Sequence, residues 1–476
     1  MRITRVDVLD WRILKKPQAE FRTNCAVIIG ENGIGKSTLI ELILCIFGLV
    51  FKRLKDSKAI ADIDGFYLEY VTTDASGNNH QVVFESGYLD GSKTGDLRVI
   101  IDESEYNINE DGGQKLKSLL PANIICYYAG GTERVMNLCN SFIMENVDAV
   151  RKSGNPYTLV PLNLPADAPF IYSDMFHLPI ALVSLLVSDI RGYTLGKLSL
   201  KAETVNVIVR LKKPAWGTGK SEDFWGNSSH LFNDFLSGLI DHGIVKEQSQ
   251  SLIEIEISAM SLRDYLDELG IAHKGMFLFQ LFDLLNNNDL LKDVDVKWLR
   301  NGKEFNSTPI SIDYFSEGEK QIIMTSALIE FWDKEHCLFL FDEPDTFLHP
   351  KWQSRFLPEL MENIKDSQAI ITTHSPLMLS SVHGECELFV MKEGQLMAYS
   401  GRTYGMKAGD IIETAMETSS RDNRVASLLQ EIENLILDGR IDNAKSKLVE
   451  LENTGVSPYD FNRLRSTIEK FELLGI

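Results

Sequence analysis

The residues in this chain best suited to chemistry are Lys36, Ser37, Asp342, Glu343 and His374. Lys36 and Ser37 close the pattern Gly30-x-x-x-x-Gly35-Lys36-Ser37. Its glycines let backbone N–H groups curl around a polyphosphate at the positive end of the helix that follows. A lysine in that position reaches the outer phosphates, and a serine holds Mg²⁺. Asp342 and Glu343 are adjacent carboxylates at the end of the apolar run Cys337 to Phe341. Being neighbours at a strand end they point differently, so one can face a metal and the other a water. His374 ends a second apolar run, Gln368-Ala-Ile-Ile-Thr-Thr. These residue types suit phosphoryl transfer, in which a protein chiefly positions water and stabilises charge on the transferred group.

Each group needs an element to hold it. The run Ala26 to Ile29 is short and wholly apolar, as a buried strand is, and after Lys36 the residues Leu39, Ile40, Ile43 and Phe47 predict a helix. The strand ending in Asp342 and Glu343 belongs at the carboxyl edge of a sheet, where open α/β folds hold ligands. Phe315-Ser316-Glu317-Gly318-Glu319-Lys320-Gln321 opens a further helix that runs to Trp332, with Ser316 and Glu319 spaced as a capping box.

Around these lie less specific segments. Residues 1 to 30 read as two strands around the turn Asp10-Trp11-Arg12. Gly65 to Val71, Gln81 to Glu85 and Leu97 to Ile101 alternate as antiparallel hairpins do, and Pro121 to Gly131 reads as a core strand ending in a glycine turn. Helical periodicity then dominates, over Ser173 to Ile190, His230 to Gly243 and Leu262 to Asn288, interrupted by a strand pair at 204–210 and 252–257. The sequence Gly217-Thr-Gly-Lys220-Ser221 superficially repeats the phosphate pattern but has Pro214 where the leading glycine belongs and no apolar strand ahead. Glu387 to Leu396 predicts a hairpin, and the tail predicts helices over Val425 to Leu437, Asp442 to Glu452 and Pro458 to Leu474. Four segments follow: 1–135, 136–294 (mostly helical), 295–400 and 401–476.

At 476 residues, with 44% apolar and 24% charged residues, the composition is that of a globular chain large enough for several domains. No apolar run approaches the roughly 20 residues that span a bilayer, so the expectation is a cytoplasmic protein with no membrane partner. The 6 cysteines are scattered without a C-x-x-C pair and read as reduced core residues. A net charge of −20 disfavours coating nucleic acid by charge alone. Any DNA contact would need a local basic face, such as Lys52-Arg53-Leu-Lys55 or Lys212-Lys213, or a partner.

In this order, the phosphate loop, F-S-E-G-E-K-Q, the strand ending D-E-P, L-H-P and the strand ending T-H-S-P closely resemble the ABC-type ATPases of the SMC, RecF and OLD class. The likeness covers roughly residues 1–135 and 295–400. It implies an α/β P-loop ATPase head, with a mixed sheet, an antiparallel β subdomain, a helical insertion and a C-terminal helical hairpin. It also implies that ATP and Mg²⁺ bind between two heads. Gly30, Asn32, Gly33, Gly35, Lys36, Ser37 and Thr38 would cradle the phosphates, and Ser37 and Asp342 would hold Mg²⁺. Glu343 would orient or deprotonate water and His374 would sense the γ-phosphate. Ser316, Gly318 and Glu319 would act from the other subunit, and Arg12 resembles an arginine that touches phosphate. The family's coupling glutamine has no clear equivalent, since Gln81 and Gln114 lie in other contexts.

The tail resembles that of Septu-type and related prokaryotic defence ATPases, which act with a separately encoded nuclease. A helical cap packing on its own head is the alternative. The resulting expectation is an ATP-driven homodimer, open to higher assembly, that controls an effector such as a nuclease in anti-phage or restriction-linked defence. A RecF-like clamp gripping DNA directly, and a scaffold locked by unhydrolysed ATP, are the other readings.

Overall fold

A computed structural model describes residues 1–56, 63, 65–88, 96–109, 111–128, 134–139, 170–188, 205–298, 310–333, 336–364, 367–417, 422–453 and 458–474. They form two compact units, Met1–Tyr404 and Gly405–Ile476.

The larger unit is mixed α/β. Its central seven-stranded sheet runs in the order Gln395–Ala398, Cys386–Lys392, Cys25–Ile29, Gln368–Thr373, Leu338–Asp342, Ile124–Tyr128 and Phe170–Ser173. All neighbouring pairs are parallel except the edge hairpin Cys386–Lys392 with Gln395–Ala398. Parallel strands buried on both faces carry continuous apolar sequence, and Cys25–Ile29, Leu338–Asp342 and Gln368–Thr373 are buried along their whole length. Their carboxyl ends therefore emerge together, delivering the phosphate loop, Asp342 and His374 to one edge.

A six-stranded antiparallel sheet, ordered Ala19–Glu20, Arg2–Val8, Phe66–Thr73, Asn79–Ser86, Arg98–Ile101 and Ser104–Tyr106, accounts for the predicted hairpins. The helix Lys36–Lys55 shares one core with both sheets. Its Leu39, Ile43, Phe47 and Val50 pack in the cluster that contains Val6, Leu68 and Phe84 on one side and Ile28, Leu340 and Ile370 on the other. Phe47 lies edge-on to Phe84, with ring centroids 5.8 Å apart.

The opening of the chain departs from expectation. Arg2–Val8 lies between the two-residue strand Ala19–Glu20 and Phe66–Thr73, and Cys25–Ile29 joins the other sheet. The turn between them is a tight bridge of Trp11 with Leu14.

The insertion also differs, because its described residues carry a five-stranded antiparallel sheet beside the helices. That sheet is ordered Ile244–Gln248, Leu252–Ser258, Val205–Lys212, Leu291–Trp298 and Ile310–Ser311. Leu291-Lys-Asp-Val-Asp-Val-Lys-Trp298 alternates as a strand should, but it sits directly behind a helical segment. The helix expected over Leu262 to Asn288 is two helices, Ala259–Glu268 and Lys274–Asn287. Gly270, at φ +70, takes the left-handed conformation that ends a helix. The helix expected from Ser173 begins only at Leu178: Phe170–Ser173 is the sheet's edge strand, and Asp174 caps a short 3₁₀ turn, Met175–His177.

In the smaller unit, Asn423–Leu437, Ile441–Asn453 and Pro458–Leu474 form a helical bundle. Its core joins Leu428, Ile432 and Ile436 to Ala444, Leu448 and Leu451, and the third helix adds Leu464 and Ile468. The glycine turn predicted at 129–131 lies outside the described residues.

Candidate functional site

Strand Cys25–Ile29 turns sharply at Gly30, whose φ of +154° and close neighbours admit no side chain. A Cβ there would stand 2.3 Å from Ile34 Cδ1 and 2.6 Å from the Met391 carbonyl. Gly33 and Gly35 also take positive φ, and Gly35 caps the helix Lys36–Lys55. The loop thus wraps back over Lys36, whose ammonium donates to the carbonyls of Gly30, at 3.0 Å, and Glu31, at 3.1 Å.

Lys36 Nζ also lies 2.6 Å from His374 Nε2. An ammonium can only donate, so Nε2 accepts and the neutral ring carries its proton on Nδ1. Burial, and then the Lys36 charge, push His374 down to about 4. Glu343 Oε1 stands 3.1 Å from the same Nε2 and 3.7 Å from Lys36 Nζ. Burial raises Glu343 to about 7 even though Lys36 pulls the other way. Burial likewise lowers the Lys36 pKa, against the pull of Glu343 and Asp342. Glu343 has φ +52, a left-handed backbone that costs a non-glycine residue energy and that clusters at functional sites. Its N–H donates to both the carbonyl and the hydroxyl of Thr372, each at 3.1 Å.

Asp342 is 1% exposed. Its Oδ1 accepts from the Thr372 hydroxyl, while Oδ2 is buried with no hydrogen-bond partner among the described residues. Burial raises its pKa, and Ser37 is close enough to lower it. An orphaned buried carboxylate oxygen beside a serine hydroxyl costs stability unless a cation completes it. No cluster of three or more His, Cys, Asp or Glu suited to a metal occurs among the described residues. The unpartnered Asp342 oxygen beside Ser37 is a donor set that could hold Mg²⁺, a cation commonly bound through one or two protein oxygens with phosphates and water around it.

One cavity of about 990 Å³ gathers Arg12, Asn32, Gly33, Gly35, Lys36, Ser37, Thr38, Asp342, Glu343 and His374. Arg12 reaches it by ion-pairing with buried Glu41 of the following helix and by stacking over Trp11, 4.3 Å from the ring centroid. Ser316, Gly318 and Glu319 do not line it. Ser316 caps the helix Glu317–Trp332, and its hydroxyl donates to Glu319 at 2.8 Å while the Glu319 carboxylate accepts from the Ser316 N–H at 2.9 Å. Gly318 packs against the turn after Asp345, where a Cβ would stand 3.1 Å from the Phe347 carbonyl.

The cavity also holds residues that sequence reading missed, among them Asp345, Tyr128, Arg134 and Gln353. Asp345 is 2% exposed and burial lifts it to about 6. Its position three residues after Asp342 was the available signal. Tyr128 ends the parallel strand beside Asp342, and only the strand order reveals that. Gln81, on an antiparallel strand, and Gln114, at a helix start, lie away from the cavity.

Two segments match models of known domain families. Residues 261–380 match one described as "AAA domain, putative AbiEii toxin, Type IV TA system", and residues 5–138 match one described as "AAA domain". The chain is 28% identical over 172 residues to "Retron Vc95 probable ATPase" of Vibrio cholerae, covering 32% of each chain. It is 29% identical over 147 residues to "Retron Ec83 probable ATPase" of Escherichia coli, covering 28% of this chain and 26% of that one. The matches thus span a third or less of those relatives' lengths. A structure of "the recombination mediator protein RecF-ATPrS in RecFOR pathway" aligns over 84% of this chain and 98% of its own, with 16% identity and a TM-score of 0.37.

Proposed function

We propose that this chain is an ATP-binding and ATP-hydrolysing head that dimerises around nucleotide and controls a separately encoded effector, such as a nuclease, in prokaryotic defence. The observation that carries the catalytic part is the convergence of Lys36, Ser37, Asp342, Glu343 and His374 on one cavity at the carboxyl edge of parallel strands. The placement in defence is supported by the two retron ATPases, by the domain family described as a type IV toxin–antitoxin component, and by the motif resemblance.

The backbone N–H groups of the loop and the Lys36 ammonium would bind the phosphates. Ser37 and Asp342 would hold Mg²⁺, and that ion would supply neutralisation of the phosphate charge. Glu343, beside His374 Nε2, would orient the attacking water, and His374 would read the presence of the terminal phosphate. In this chain Lys36 sits against His374, the Gly30 carbonyl and the Glu31 carbonyl. Phosphate oxygens would therefore compete for the same ammonium, so binding and the position of His374 are coupled. Ser316 does not line the cavity of its own chain, as expected of a residue that a second copy would bring to the nucleotide.

Glu343→Gln keeps the shape of the side chain and removes its ability to accept a proton. It should trap ATP-bound dimers, seen as a doubling of mass by light scattering on adding Mg-ATP. A variant that stays monomeric under those conditions refutes the sandwich.

A further inference from the structure

Glu343 and His374 each follow the end of a different strand, yet their reactive atoms are 3.1 Å apart. The register between Leu338–Asp342 and Gln368–Thr373 ends with Asp342 opposite Thr372, and the last main-chain bond across it runs from the Glu343 N–H to the Thr372 carbonyl. Past that register, side chains continue the lacing. The Thr373 hydroxyl donates to the Asp345 carboxylate, with oxygens 2.9 and 2.8 Å away, and accepts from the Ser375 N–H at 2.9 Å. Gln353, on the helix Pro350–Asn363, donates to the Asp345 carbonyl at 3.2 Å and accepts from the Ser375 hydroxyl at 3.0 Å. His374 is thus gripped through the residue before it and the residue after it.

We infer that Asp345 is a positioning residue for the proposed hydrolysis: by holding the Thr373 hydroxyl, which itself accepts from the Ser375 N–H, it fixes the His374 ring against Glu343 and Lys36. The inference rests on the ATPase reading, and it deepens it by assigning a role to a carboxylate that touches neither phosphate nor metal in the scheme above. A buried carboxylate kept only for turn stability would show no particular tie to His374. A clamp would act through it.

The test uses the full-length chain with Mg-ATP. Asp345→Asn keeps the volume but loses the charge and one acceptor. It should lower kcat on the order of 10- to 100-fold, the scale of a catalytic group displaced by about 1 Å, while leaving the Kd for a fluorescent ATP analogue within about threefold, because binding and turnover are separable quantities. Combined with His374→Ala it should add little to the loss that His374→Ala causes alone, as expected for residues acting as a unit. Thr373→Val, which removes the other end of the clamp, should reproduce the pattern if Asp345→Asn fails to fold.

Losses in Asp345→Asn and His374→Ala that simply multiply would overturn the inference, as would unchanged kcat. If the unmodified chain hydrolyses no ATP, the ATPase reading fails on its own account. The clamp is then judged by the His374 imidazole resonance in histidine-labelled protein, assigned by its loss in His374→Ala. A resonance that moves in Asp345→Asn supports the clamp, and one that stays in place refutes it.

Discussion

At the residue scale, Lys36 and His374 illustrate how one cavity sets the charge of its own groups. A lysine and a histidine 2.6 Å apart cannot both be charged at little cost, so the histidine yields and stays neutral. The sign of its effect on stability follows. His374 falls from the ordinary 6.5 to about 4 on folding, so the unfolded chain binds the extra proton. Stability tied to this group is intact above pH 6.5 and is lost as pH drops from there towards 4. Thermal melts of the unmodified chain and of His374→Gln should diverge across that window, with the variant falling less steeply on acidification. Lys36→Ala removes the ammonium while leaving the loop's glycines in place. Titration with a fluorescent ATP analogue should show affinity reduced on the order of 100-fold, the magnitude of a few charge-assisted bonds lost together.

At the scale of elements, the insertion meets the sheet through a buried histidine held between two part-exposed carboxylates. His177 ends the 3₁₀ turn after strand Phe170–Ser173, and its two nitrogens lie 3.1 Å from Asp174 and 3.2 Å from Asp283 on the helix Lys274–Asn287. Its ring also stacks on Phe279 of that helix, centroids 5.9 Å apart. Although burial opposes the charge, the two carboxylates prevail and raise His177 to about 9. Both carboxylates still reach solvent, so His177→Gln should cost about 1–2 kcal/mol, the scale of charge-assisted hydrogen bonds lost at a part-exposed site. Because the folded pKa is the higher one, this stability is fully present below pH 6.5 and is lost as pH rises through about 9. The gap between the two proteins in chemical denaturation should therefore close at alkaline pH.

At the scale of the whole molecule, two units carry separate cores. Met1–Tyr404 is built on sheets around the helix Lys36–Lys55, whereas Gly405–Ile476 depends on a small apolar cluster centred on fully buried Ile432. Truncating a side chain in so small a core leaves a cavity that few neighbours can fill. Ile432→Ala should cost about 3 kcal/mol and appear as faster amide exchange across the tail helices, and protection that stays unchanged there would show that the cluster is not what holds them. No helix among the described residues is long and apolar enough to cross a membrane. With a net charge of −20, DNA binding by the chain alone would have to come from a local basic face and would weaken steeply with salt.

The sequence by itself determined the phosphate loop, the two carboxylates at a strand end, the histidine strand and the capped helix at Ser316. Each is a local pattern in which spacing, glycine conformation and apolar periodicity carry the information within a few residues. It also determined the tail helices, whose apolar spacing is regular. Only the tertiary structure decided what stands next to what: that Glu41 holds Arg12, that Tyr128 flanks Asp342, and that Asp345 holds Thr373. Those neighbours come from strand order and register across separations of 28 residues for Asp345 with Thr373 to more than 200 for Tyr128 with Asp342, and side-chain types do not encode such separations locally. The same holds for the insertion's sheet, whose strands individually looked like short interruptions between helices and gained their stability from pairing with one another.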